Sequence, residues 1–164
     1  MYKVMKILAI AVLIVTIAGA GAVLYGIRTL SPVVEQVYVT VTPAGDAQDV
    51  FDGALAQVAD GTFTGRVFSA GAAPDAEECT FLTYTVRLAN RGFFPAEWVS
   101  LDVQPVEGDV LQLDNVQANV LASGSQGDIA ATILHAGDAA ATSRNYTIQC
   151  YVFGRKTTLQ GSTQ

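Results

Sequence analysis

From Ile7 to Ile27 the chain runs 21 residues without a charged side chain, ILAIAVLIVTIAGAGAVLYGI. At about 1.5 Å of rise per residue, a helix of that length crosses a hydrocarbon core of about 30 Å. Lys3, Lys6 and the amino terminus precede the run, and Arg28 alone follows it. Positive charge tends to stay on the cytoplasmic side of a membrane. Residues 1–28 are therefore expected to form a cytoplasmic tip and one transmembrane helix in the plasma membrane, with lipid around residues 7–27. Residues 29–164 would form an extracytoplasmic domain.

A cleaved signal peptide is the alternative. Ile7 to Ile17 suits a short apolar h-region, and Ala18-Gly19-Ala20 or Ala20-Gly21-Ala22 suits a small-residue cleavage site. The apolar run continues past both sites through Val23, Leu24 and Tyr25, which favours an uncleaved anchor. Both readings export the remainder. With no Cys near the end of the run, a lipoprotein anchor is excluded. Ala18, Ala22 and Gly26 share one helix face, a spacing that lets two membrane helices approach closely. Because Gly and Ala are common in membrane helices anyway, weak self-association through this row is the lesser reading.

The 164 residues suffice for one ordinary domain beyond that helix. All 15 acidic residues and six of the nine basic ones lie beyond Arg28, leaving nine negative charges in excess. The basic residues are scattered, so nothing matches the footprint that neutralises phosphates, and nucleic acid is not an expected partner. The acidity suits the solubility of an exported domain.

Periodicity sets the expected elements. Ser31-Pro32 ends the first helix, since proline turns its predecessor away from helical backbone. Val33 to Val41 alternates with period two and β-branched residues, as a strand does. A helix is expected over about 46–60. Asp46 would be its N-cap, Val50, Phe51, Ala54, Leu55 and Val58 recur at helical spacing, and Asp60-Gly61 would stop it. Expected strands follow at Thr62–Phe68, Thr80–Ala89, Trp98–Val106, Val110–Leu113, Val116–Leu121, Ile129–Leu134 and Asn145–Phe153. Lys156–Leu159 would pair back through Gly154. Short strands punctuated every 8–12 residues predict an all-β chain folded as an antiparallel β-sandwich, with one short added α-helix and the apolar helix in front.

Three runs carry a resemblance: TYTVRLANRGFFPAEWVSLDVQP, LASGSQGDIAATIL and YTIQCYVFG. They resemble bacterial immunoglobulin-like modules of the CARDB type, in which a strand ends in Asn-x-Gly and a Gly-bearing turn precedes a later strand. The likeness covers about residues 79–153. The chain as a whole is similar to single-pass bacterial envelope proteins. The resemblance implies an immunoglobulin-like β-sandwich, with adhesion or assembly as its role and an envelope protein or polymer as its partner. The helix at 46–60 departs from that pattern.

The candidate sites begin with Phe93, Phe94 and Pro95, which follow the turn signal Asn90-Arg91-Gly92. Adjacent residues in an extended corner point opposite ways. One phenylalanine can plug the end of the core while its neighbour faces outward. The core plug is the favoured reading and a partner-binding tip the alternative, with Trp98 expected to pack nearby. Cys79 and Cys150 could form a disulfide in an exported domain. Parity speaks against the bridge: Cys150 shares the apolar face of Tyr146, Ile148 and Val152, whereas Cys79 is out of phase with Leu82, Tyr84 and Val86. His135, the sole histidine, reads as a turn residue in HAGD. The acidic sets Asp75/Glu77/Glu78 and Glu107/Asp109 read as solvated loop charge and not as calcium ligands. No catalytic or metal-ligating constellation emerges, and no cofactor is expected. The expected function is a non-catalytic interaction or scaffold module. The alternative is a small-ligand accessory domain for envelope glycan or metal.

Overall fold

The computed structural model describes residues 2–29, 31–69, 75–113, 120–137 and 143–163. Helix α1, Tyr2–Thr29, contains the apolar run. Its stretch Tyr2–Gly26 is long and apolar enough to cross a membrane. Strand β1 follows at Val33–Pro43, then a 3-10 turn at Ala44–Ala47 and helix α2 at Gln48–Ala59. The two-residue strand β2, Arg66–Val67, precedes a 3-10 turn at Ala76–Glu78. The remaining strands are β3 (Cys79–Ala89), β4 (Ala96–Val103), β5 (Asp109–Leu113), β6 (Gln126–Ala136), β7 (Asn145–Val152) and β8 (Arg155–Ser162).

Among the described residues the strands form two sheets, one ordered β1-β3-β6-β5-β2 and the other β4-β7-β8. All pairings are antiparallel. Leaving aside the short β2, this is the A-B-E-D and C-F-G order of an immunoglobulin-like sandwich. Between the sheets lie Leu82, Tyr84, Val86 and Leu88 of β3, Ala131 and Ile133 of β6, Val99 and Val103 of β4, and Tyr146, Ile148, Cys150 and Val152 of β7. Each is the inward member of an alternating pair, so the period-two pattern becomes the sheet's inner face directly.

A second apolar cluster lies on the outer face of the five-stranded sheet. Phe51 and Ala54 of α2 pack there with Cys79, Phe81, Leu111 and Leu134. Strand β3 is thus buried on both faces near its start, and the architecture is locally helix on sheet on sheet. Helix α2 ends as its sequence predicts: Gly61 takes φ +68 and its N–H bonds back to Val58 O at 3.2 Å. Its start differs. Asp46 lies in the 3-10 turn, the N-cap is Ala47, and no side chain caps it. Val50 points to solvent.

The strand expected at Thr62–Phe68 shrinks to Arg66–Val67, which pairs with Gln112 and Leu111 of β5; beyond it the N–H groups of Phe68 and Ser69 both turn onto Val110 O and the ladder ends. Most of the strand expected at Val116–Leu121 lies outside the described residues, and Leu121 forms a single bridge with Ala96. The Cys79–Cys150 bridge weighed from the sequence is absent. Both cysteines are free and buried, Cys79 in the cluster beneath α2 and Cys150 in the inter-sheet core. The five-stranded sheet separates them.

Candidate functional site

The corner between β3 and β4 is built around Asn90, which is almost fully buried. Its Nδ2 donates to Phe94 O at 2.8 Å and to Leu121 O at 3.0 Å, while its Oδ1 accepts from Gly92 N at 3.0 Å. Ser123 Oγ donates to Gly92 O. A short amide that turns back on its own chain suits Asn in a tight turn. These bonds fix which phenylalanine turns inward. Phe94 packs on the inter-sheet core, and its ring stands 4.8 Å from that of Phe153, centroid to centroid. Phe93 is 81% exposed, so the corner serves as both plug and projecting tip.

Two more aromatics project from the same end. Trp98 is 78% exposed and Phe153 65%. The expected packing of Trp98 beside the corner does not occur. A β-bulge between Glu97 and Ser100 rotates the indole outward, and Trp98 takes φ +53. Phe153 takes φ +51 and Gly154 φ +72 in the two-residue β7–β8 turn. Both central residues of such a hairpin turn need positive φ, which is why Asn-Gly is its usual occupant. Side chains with a Cβ adopt that region at a cost of order 1 kcal/mol or more. Glu97, Trp98, Tyr151 and Gly154 line an open hollow of about 400 Å³ there. The exposed Val120 lies beside Leu121, whose backbone bonds to Ala96.

The opposite end is polar and partly buried. Asp109, at the start of β5, is fully enclosed and accepts from both terminal nitrogens of the equally enclosed Arg144. It also accepts from Val106 N at 2.8 Å and lies 2.9 Å from His135 Nδ1. Burial alone would raise the Asp109 pKa; the bonds from Arg144, Val106 and His135 outweigh it and hold the carboxyl below its ordinary value. The Arg144 guanidinium also stands over the Tyr84 ring at 5.4 Å. This network ties β5, β6 and β7 together across both sheets.

Two expectations are corrected here. Asp109 is not solvated loop charge, and His135 belongs to β6, paired with Thr80, with a largely covered side chain. Neither reading was accessible from spacing alone, since 35 residues separate Asp109 from Arg144. The only available hint was a lone arginine directly before a strongly apolar strand. Burial raises the pKa of both thiols, Cys79 and Cys150, which disfavours the reactive thiolate. Among the described residues, no three His, Cys, Asp or Glu side chains gather as a metal site.

No family model matches the chain, and no curated protein matches it. Among solved structures, the chain is similar to a yeast GGA1 GAE domain at 17% identity. That match covers 60% of this chain and 85% of the other, with a TM-score of 0.41. The GAE domain of GGA2p from Saccharomyces cerevisiae is 6% identical, covering 61% and 94%, with a TM-score of 0.37. At this overlap and identity neither likeness bears on function here.

Proposed function

We propose that the chain is a membrane-anchored, exported, non-catalytic interaction module, with residues 1–28 as its anchor and residues 29–164 as the presented domain. The supporting observation is the junction: helix α1 ends at Thr29 and the sandwich begins at Val33. Only three residues lie between them, so the domain sits directly at whatever surface holds the helix. The groups that would otherwise suggest chemistry are engaged within the fold. His135 and Arg144 both bond to Asp109, and both thiols are buried.

The partner is an envelope protein or polymer that meets the end away from the anchor. Exposed Asp46, Asp75, Glu77, Glu78 and Glu107 gather there, which favours a basic partner surface. Photo-crosslinkers placed at Glu77 and Glu107 of the full chain in intact cells should give a discrete adduct. Reversing the charge at Asp46, Asp75 and Glu78 should weaken it. Adducts that survive charge reversal unchanged would contradict this assignment.

A small-ligand role is the second reading. It draws on an open hollow of about 530 Å³ lined by Gln104, Asn145, Thr147, Gln160 and Ser162, amides and hydroxyls of the kind that bond sugars. A ligand that binds only the folded state raises its melting temperature by mass action. Cell-wall fragments that raise the melting temperature would favour this reading over the first.

A further inference from the structure

The end of the sandwich nearest the anchor is also its most aromatic end. Val33, the first residue of β1, pairs with Ala89, the last residue of β3, and the Asn90–Pro95 corner follows at once. Gln126, at the start of β6, and the Phe153-Gly154 turn lie at the same end. From Thr29 to Val33 there are four Cα–Cα steps, about 15 Å at full stretch. The surface bearing Phe93, Trp98 and Phe153 is therefore confined to within a short reach of the carboxyl end of α1. This follows from connectivity and register, whatever the tilt of the helix.

The charge around this rim differs from the rest of the domain. Arg155 and Lys156 are exposed and have no ion-pair partner among the described residues, and Arg91 lies at the same corner. Of the three nearby carboxylates, Asp128 is paired with Arg87 at 2.8 Å and Glu35 bonds to Arg91 at 3.2 Å and Gln126 at 2.8 Å, leaving Glu97 open. Exposed aromatics beside unpaired cations such as Arg155 and Lys156 are what the interfacial zone of a bilayer accepts, because the rings sit at headgroup level and the cations meet lipid phosphates. Two of these aromatics are held outward by positive φ, against their local preference.

We infer that the rim of Phe93, Trp98 and Phe153 docks into the headgroup–acyl boundary of the bilayer that holds α1, so that the acidic end points away from the membrane. This rests on the anchor reading above, and the tether supplies the second binding event at high effective concentration.

Trp98 is the only tryptophan, so its emission reports on this rim alone. The full chain is reconstituted into phosphatidylcholine–phosphatidylglycerol vesicles, with or without bromine on the acyl chains near the headgroup, and floated on a density gradient. The expected result is flotation with the vesicles and at least twofold weaker Trp98 emission over brominated lipid. The double variant Phe93→Ser, Phe153→Asn should still float but lose most of that quenching. Flotation with equal Trp98 emission over both lipids overturns docking and leaves the anchor standing. Quenching unchanged in the double variant overturns the rim as the docking element. A chain that fails to float overturns the anchor and docking together.

Discussion

Trp98 occupies a position where glycine is the comfortable residue. Its φ of +53 lies at a bulge, and its side chain makes no core contact. Trp98→Gly is expected to leave the melting temperature unchanged or to raise it, although it deletes the largest side chain type. A marked loss of stability would show that the indole packs against something in the folded domain. Arg144 predicts the reverse. Arg144→Leu would leave the Asp109 carboxylate buried without its main partner, at a cost of about 3–5 kcal/mol by urea unfolding. The same pair sets an acid limit. The Asp109 pKa is depressed in the fold, so its contribution is present above the ordinary carboxylate pKa of about 4 and fades as pH falls through the lower folded value. Wild type should therefore lose stability steeply below about pH 4, and Asp109→Asn should flatten that slope.

At the scale of elements, the alternation in Thr80–Ala89 reads out one face of β3 without ambiguity. Its even residues do form the inter-sheet core. The other face was not legible, because Cys79 and Phe81 look solvent-facing until α2 is known to lie over them. A helix's apolar stripe says that it packs, not against which sheet face. The parity that spoke against the disulfide has the same origin: Cys79 faces α2 while Cys150 faces the inter-sheet core. Phe51→Ala should cost about 3–5 kcal/mol, as for a buried ring removed from a packed cluster. Its loss should be additive with that of Ile148→Ala in the separate core, since the two share no partners. Strong coupling between them, measured by a double-mutant cycle, would contradict two independent clusters.

At the scale of the molecule, the antiparallel sandwich and the apolar helix were legible because each is written in a local pattern of apolar residues. The polarity of the domain was not. Phe93 and Phe153 are 60 residues apart, and Trp98 leaves its expected side only through a bulge. What brings them together is register: the end of β3, the start of β6 and the end of β7 all lie at the end of the sandwich where β1 begins. Part of the basic set acquires order in the same way, with Arg91, Arg155 and Lys156 at the end where β1 begins and exposed carboxylates crowding the far end. The whole account turns on α1 lodging in the bilayer and holding the sandwich outside the cell. Alkaline-carbonate washing of membranes, followed by protease treatment of intact cells carrying a carboxyl-terminal tag, tests this directly. The uncleaved 17.2 kDa chain should stay in the washed membrane pellet, and external protease should remove the tag. Recovery of the intact chain in the soluble cytosolic fraction, with its tag protected, would contradict it.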